Sequence, residues 1–347
     1  MIGTARRRRR YIAFLTAPAL LTWTLAAASA ESAPPGNYAK RPEVREFIAE
    51  MATERGFNAT ALKRLFGQVQ YQPRVIEAIT RPVVAPPTWY EFAPRFLAPA
   101  RVEAGVNFWR VHEAALARAQ DEFGVPPEII VAIIGVETYY GRYPGSYRVL
   151  DALTTLAFDY PRRADFFRGE LKQFLLLARE QRIDPLEPRG SYAGAIGLPQ
   201  FMPSSIRAYA LDYDFDGNID LATDAEDAIG SVAHYLARHG WQRGQPLMAP
   251  ALIENTEIDV ALRRLDAGLS DQRTLAQWEQ EGVTVFQLPD NADSDPVGLL
   301  MLEEEGGQVY WIVFGNWYVL TRYNRSRLYA SAVVALSEAV KEAAAAR

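Results

Sequence analysis

Cysteine is absent from all 347 residues. That excludes disulfides, a thiol nucleophile and a lipid-modified N-terminal cysteine, so a lipoprotein is not expected. Histidine is scarce as well. His112, His234 and His239 are the only three, and they form no metal-ligand pattern. No G-x-S-x-G elbow occurs, which removes that route to a serine nucleophile. Positive charge is in deficit, with 37 Lys and Arg against 42 Asp and Glu and a formal net charge of −5. Nucleic acid, which needs a basic face, is excluded as a partner on that ground. Repeats and low-complexity tracts are missing too.

The N-terminus departs from this balance. Arg6 to Arg10 form a positive block, the stretch Tyr11 to Ala28 is apolar, and Ala28-Ser29-Ala30 offers small residues. The order is that of a signal peptide over residues 1–30. Pro18 and the small-residue end favour cleavage over an uncleaved membrane anchor. Removing this segment takes five arginines and no acid, so the formal charge falls from −5 to −10. The mature protein is expected in the periplasm, with the adjacent arginines leaving open which export route it takes. Residues 31–40 read as a flexible leader.

Downstream, the apolar spacing is mostly helical. Val44, Phe47, Ile48 and Met51 share a stripe within 42–80. A proline-rich crossing at 81–87 precedes one long helix over 99–123, stopped by Gly124. Pro126 and Pro127 can open the next helix, where a missing N–H costs nothing. That helix, over 128–140, is apolar nearly all round and is expected to be buried. Further helices are expected over 150–158, 164–182, 203–210 and 225–239. After Pro250, residues 283–288 and 298–321 are rich in Val, Leu and aromatics, with Glu305-Gly306-Gly307 as a turn, and read as strands of a small sheet. A last helix runs over 328–345. The fold class is mainly α (α+β).

Glu137 stands near the end of the apolar helix. A carboxyl in apolar surroundings has a raised pKa, which suits a general acid near neutral pH. The same pattern fits a helix-end Glu paired with Arg142 or facing solvent. Asp151, Asp159, Asp165 and Glu170 read as solvated charge, so no partner carboxylate is evident. Ordinary glycosidases need two, and a single acid implies a hidden partner or help from the substrate. The run Asp212 to Asp220 follows calcium-loop grammar, with acids at alternate positions and Gly217 at the sharp turn. Thr223 stands where a closing Glu is usual, and Glu226 or Asp227 can close a longer loop. The expected ligands over 212–227 are Asp212, Asp214, Asp216, Asn218 and Asp227, holding a structural ion; an acidic surface turn is the alternative. Ser191 to Ser205 reads as a tight loop into a helix capped at Ser204 or Ser205.

Taken together, six stretches resemble the membrane-bound lytic transglycosylase B family in its soluble form. They are PPEIIVAIIGVETYYGR, DALTTLAFDYPRR, GSYAGAIGLPQFMPSS, the calcium-type loop, DAIGSVAHYLARHGW and TRYNRSRLYA, in family order over 126–330. The resemblance implies a helical domain over 41–104, a lysozyme-like catalytic core over 105–249, a β-domain insertion over 250–321, and a return to the core with a C-terminal helix over 322–347. It implies cleavage of the β-1,4 bond between N-acetylmuramic acid and N-acetylglucosamine in peptidoglycan, with a 1,6-anhydromuramoyl product. The substrate's N-acetyl group then supplies the help that one carboxylate needs. Residue by residue, it implies Glu137 as acid and then base, and Ser191 at the N-acetyl group. Gln200, Tyr235, Tyr323, Asn324 and Tyr329 become sugar-site residues, and Arg162 and Arg163 face the muramoyl lactyl or peptide carboxylates, with a solvated helix-start pair as the alternative. No cofactor is implied for the chemistry beyond a structural Ca2+. The implied partners are glycan strands and other cell-wall enzymes, for a monomeric protein. A hydrolytic muramidase using the same Glu, and a non-catalytic peptidoglycan-binding protein, are the alternatives. Leu198-Pro199 and Phe92 depart from some members of the family.

Overall fold

The computed structural model describes residues 37–82, 87–253, 270–288 and 296–346. The expected signal peptide and leader residues 31–36 lie outside the described residues. In chain order, α1 (Pro42–Arg55), α2 (Ala59–Phe66), α3 (Pro73–Thr80), α4 (Trp89–Phe92), α5 (Pro94–Leu97), α6 (Pro99–Val111) and α7 (Glu113–Phe123) lead to α8 (Pro127–Thr138). Next come α9 (Val149–Asp159), α10 (Ala164–Glu180), α11 (Pro203–Tyr209) and α12 (Ala225–Arg238). The late part holds α13 (Leu275–Gln280), α14 (Gly315–Tyr323) and α15 (Arg327–Ala345).

Helix α8 is the centre of the main core. Ile129, Ile130, Val131, Ala132, Ile133 and Ile134 are all buried, as expected for a helix apolar on every face. The helices α6, α7, α12 and α15 pack against it. Two short strands, β1 (Tyr147–Arg148) and β2 (Arg189–Gly190), form an antiparallel ribbon beside this core. The remaining strands are β3 (Met248–Ile253), β4 (Gln272–Arg273), β5 (Val283–Val285), β6 (Val297–Glu304) and β7 (Gly307–Val313). They make an antiparallel sheet in the order β4-β6-β7-β3-β5. The hairpin register pairs Glu304 with Gly307, so the turn falls where the sequence placed it. Trp278 of α13 fills a second, smaller core with Val283, Val297, Leu299 and Ile312. Its indole N–H donates to the Val297 carbonyl at 3.0 Å.

Several expectations change. The long helix over 99–123 breaks at His112, whose φ of −112° and ψ of 27° leave the helical region; its ring rests on Phe108 at 4.6 Å. The leader ends sooner than residue 40. Tyr38 is fully buried and donates to Asp159 at 2.6 Å, which anchors the chain from that point. The sheet stops at Val313, because 315–323 is helical and turns Trp317 and Leu320 into the main core. An apolar run alone does not separate a buried helix from a buried strand. Asp151 and Glu170 are not solvated. Asp151 accepts from Arg148 Nε and Nη2, both at 2.8 Å. Glu170 accepts from the Ser204 N–H at 3.0 Å and its hydroxyl at 2.7 Å. The α11 N-terminus is therefore capped by a carboxylate from α10, and not by Ser204 or Ser205.

Candidate active site around Glu137

The end of α8 is built to present Glu137. Tyr139 and Tyr140, the next residues but one, both lie in the left-handed region, at φ 54° and 57°. Two such bulky residues in a row are costly and need support from their surroundings. Tyr140 has it, since its ring stacks on Phe108 at 5.5 Å. Gly105 and Gly135 open the slot for that ring. A Cβ at either position would stand 2.4 or 2.5 Å from the Tyr140 oxygen. Arg101 lies over Tyr139 at 4.5 Å and donates to the Gly135 carbonyl at 3.0 Å. Thr138 then ties the helix end to the next loop, donating to the Leu198 carbonyl at 3.0 Å and accepting from the Gly141 N–H at 3.0 Å.

The Glu137 side chain keeps partial exposure, yet protein surrounds its carboxyl closely. Desolvation raises its pKa to about 7, against a smaller opposing effect of the hydrogen bond from Tyr329. That bond runs from the phenol to Oε1 at 2.6 Å. No charged neighbour among the described residues contributes to the shift. Arg142 does not pair with the carboxylate; its guanidinium lies over Tyr139 and Tyr143, each at 5.6 Å.

An aromatic cluster continues from Tyr329. Tyr323 stacks on it at 6.3 Å with 13° between the planes, and Tyr235 meets Tyr323 edge-on at 5.0 Å. The Tyr323 hydroxyl donates to the Pro199 carbonyl at 2.5 Å, and that of Tyr235 to the Arg322 carbonyl at 2.7 Å. Burial and the nearby Glu137 charge hold the Tyr323 and Tyr329 phenols well above their ordinary range. Burial raises Tyr235 to about 12. These three tyrosines and Glu137 come from α8, α12, α14 and α15, and the fold brings them together.

The remaining expected residues have distinct surroundings. Ser191 accepts from the N–H groups of Ala193 at 3.2 Å and Ala195 at 3.0 Å, which leaves its hydroxyl proton available. Gln200, at φ 51°, spends both amide protons on the Pro144 and Gly197 carbonyls, at 3.0 and 2.9 Å. Its side-chain oxygen accepts no hydrogen bond among the described residues. Asn324 is exposed and caps the turn into α15, accepting from the Ser326 N–H at 3.1 Å. Arg162 and Arg163 are exposed in the turn between α9 and α10, where Arg163 lies over Phe166 at 4.3 Å. Among the described residues no hydrogen bond or ring contact joins this pair to Glu137 or its tyrosines. Thr138, Arg101 and Tyr140 went unnoticed in the sequence. The adjacency of Thr138 to Glu137 was the one local signal available.

In the 212–227 loop, carboxylate oxygens of Asp212, Asp214 and Asp227 lie within 4.8 Å of one another. Asp227 arrives from α12 and accepts from the N–H groups of Tyr213 at 2.6 Å and Asp220 at 2.7 Å. Asp216 accepts from the Asn218 N–H at 2.8 Å and stands outside that trio. Asp220 caps residues 222–223. Gly217, at φ 93°, makes the turn.

Residues 39–338 match the transglycosylase SLT domain family. Membrane-bound lytic murein transglycosylase B of Escherichia coli is 41% identical over 321 residues, covering 88% of this chain and 84% of the relative. Among solved structures, the catenated lytic transglycosylase SltB1 of Pseudomonas aeruginosa is 46% identical with a TM-score of 0.82, covering 88% of this chain and 99% of the other. The Escherichia coli lytic transglycosylase Slt35, in complex with calcium, is 40% identical with a TM-score of 0.81, covering 90% and 96%. A match over nearly the whole described body, with sequence and fold in agreement, means that this chain belongs to the transglycosylase SLT domain family.

Proposed function

We propose that the chain is a lytic transglycosylase that cleaves peptidoglycan between N-acetylmuramic acid and N-acetylglucosamine, with Glu137 as acid and then base. The observation that carries this reading is the Glu137 carboxyl itself, with a pKa of about 7 set by burial and one phenol donor at 2.6 Å. Such a group is substantially protonated near neutral pH and can give its proton to the leaving glycosidic oxygen as the C1–O bond breaks. The substrate's N-acetyl group stabilises the positive charge at C1. The C6 hydroxyl of the same sugar then bonds to C1, and its proton returns to Glu137. One carboxylate suffices because the internal hydroxyl replaces water. Ser191, Gln200, Tyr235, Tyr323, Asn324 and Tyr329 are assigned to the sugar, and Arg162 and Arg163 to its carboxylates.

The test is product mass from purified sacculi. Release of a muropeptide one water lighter than the hydrolytic product supports the reading. Glu137→Gln, folded and still binding sacculi, should lose activity by about 10²–10⁴-fold or more. Near wild-type release of the lighter product from that variant would exclude Glu137 as the catalyst.

The donor set of Asp212, Asp214 and Asp227 suits a hard cation such as Ca2+. Three like charges so close together repel one another without one. The ion would stiffen the loop and take no part in bond cleavage. Asp216 and Asn218 belong to the same assignment through the loop grammar. No helix of the described residues is long and apolar enough to cross a membrane. Export by the 1–30 segment, a periplasmic location and a monomer acting on glycan strands beside other cell-wall enzymes complete the reading.

A further inference from the structure

A cavity of about 600 Å3 lies between the stretch leading into α3 and the β1–β2 ribbon, and neither Glu137 nor its tyrosines line it. Its walls carry Arg74, Arg148, Arg189 and Asp151, a local excess of two positive charges on a chain of net charge −5. The one acid is already committed. Asp151 accepts both donors of the Arg148 fork, the Gln70 N–H at 3.0 Å and the Gln72 amide at 3.4 Å. Arg148 is committed in turn, and also donates to the Gln68 carbonyl at 2.9 Å. The other two arginines are different. Arg189 is exposed and spends Nη1 on the Ser146 carbonyl at 3.1 Å. Arg74 is exposed and has no hydrogen-bond or ion-pair partner among the described residues.

Two arginines facing one cavity without a carboxylate of their own are suited to an external anion. A planar guanidinium fork matches a carboxylate in particular. The position within the fold narrows the source. Strand β2 carries Arg189 and Gly190 and runs straight into Ser191. That loop returns through Pro199, which accepts from Tyr323 beside Glu137. Extended backbone advances about 3.3 Å per residue, so Arg189 sits roughly 7 Å of backbone from Ser191. A substrate on the Ser191 side can therefore reach the cavity with a substituent a few atoms long.

We propose that this cavity binds an acidic peptide, the stem carried by the muramoyl sugar, with Arg74 and Arg189 taking its carboxylates and Arg148 held in place by Asp151. This rests on the peptidoglycan reading above and adds a second anchoring point to it, separate from Arg162 and Arg163. The consequence is a preference for peptide-bearing strands over bare glycan.

The test compares the wild type with the Arg74→Gln, Arg189→Gln double variant on peptide-bearing strands and on strands stripped of peptide by an amidase. A calorimetric titration of each full chain with a free acidic stem tripeptide accompanies it. In the wild type the KM on stripped strands should exceed that on peptide-bearing strands by about tenfold, the scale of one charge-assisted contact. In the double variant that ratio should fall to about one, with kcat on peptide-bearing strands within twofold. Tripeptide affinity should fall about tenfold and weaken with salt in the wild type only. An unchanged KM ratio, or equal tripeptide binding by both proteins, overturns the proposal. Inorganic phosphate competing as tightly as the tripeptide overturns the peptide assignment in favour of a general anion site. A wild type inactive on both strands counts against the catalytic reading, and calorimetry still decides the cavity.

Discussion

Tyr329 and Glu137, 192 positions apart in the chain, share a 2.6 Å hydrogen bond from the phenol to Oε1. The bond favours the ionised carboxylate and works against the larger effect of burial. Tyr329→Phe keeps the ring that stacks on Tyr323 and removes only the donor. A hydrogen bond to a charged group contributes about 1.5–3 kcal/mol. The alkaline limb of the pH–rate profile should therefore move up by about one unit or more, with kcat reduced. A limb that stays in place would show that this bond does not govern the titration of Glu137.

Burial of Glu137 also has a stability consequence. Its folded pKa of about 7 lies above the ordinary 4.5. The folded state thus binds more protons between those values. The stabilising contribution is full below pH 4.5 and is lost as pH rises through 7. Glu137→Gln never ionises, so it should match the wild type near pH 4. At pH 8 it should be more stable by on the order of 3 kcal/mol. Urea denaturation at the two pH values measures this, and equal stability at pH 8 contradicts it.

The Tyr140 hydroxyl is buried without a hydrogen-bond partner among the described residues. Tyr140→Phe should be neutral or stabilise the fold by about 1 kcal/mol. Gly135→Ala places a Cβ 2.5 Å from the same oxygen and 2.7 Å from Cζ, and should cost about 1–3 kcal/mol. Together the two changes should cost less than their sum, because one removes an atom that the other strikes. A double-mutant cycle by denaturant melts tests the contact; strict additivity refutes it.

Calcium should raise the melting temperature. A ligand at 100 times its Kd contributes about 2.7 kcal/mol when it binds only the folded state. Asp212→Ala should remove that response. Asp227→Ala should in addition lower stability in chelator, because the Tyr213 and Asp220 N–H groups lose their acceptor. Identical wild-type melting curves with calcium and with chelator would leave the trio as a surface turn.

Local features were legible in the amino-acid order. The run from Ile129 to Val136 is apolar on every face, which dictates a buried helix with Glu137 near its end. Gly217 among alternate acids dictates a tight oxygen-lined turn. The mainly helical class with a late sheet, and the membership of the family, follow from such patterns in order. What depended on distant chain meeting distant chain did not show. Asp151 and Glu170 look like surface acids until Gln70 and the α11 N-terminus are brought against them. Residues 315–323 look like a strand because an apolar run does not declare its period. Only packing of Trp317 and Leu320 into the core makes that run a helix. The identity of the donor on Glu137, and the basic cavity beside Ser191, were settled by tertiary structure. Their energies come from desolvation and charge pairing across elements far apart in sequence, and local pattern carries no record of which elements will meet.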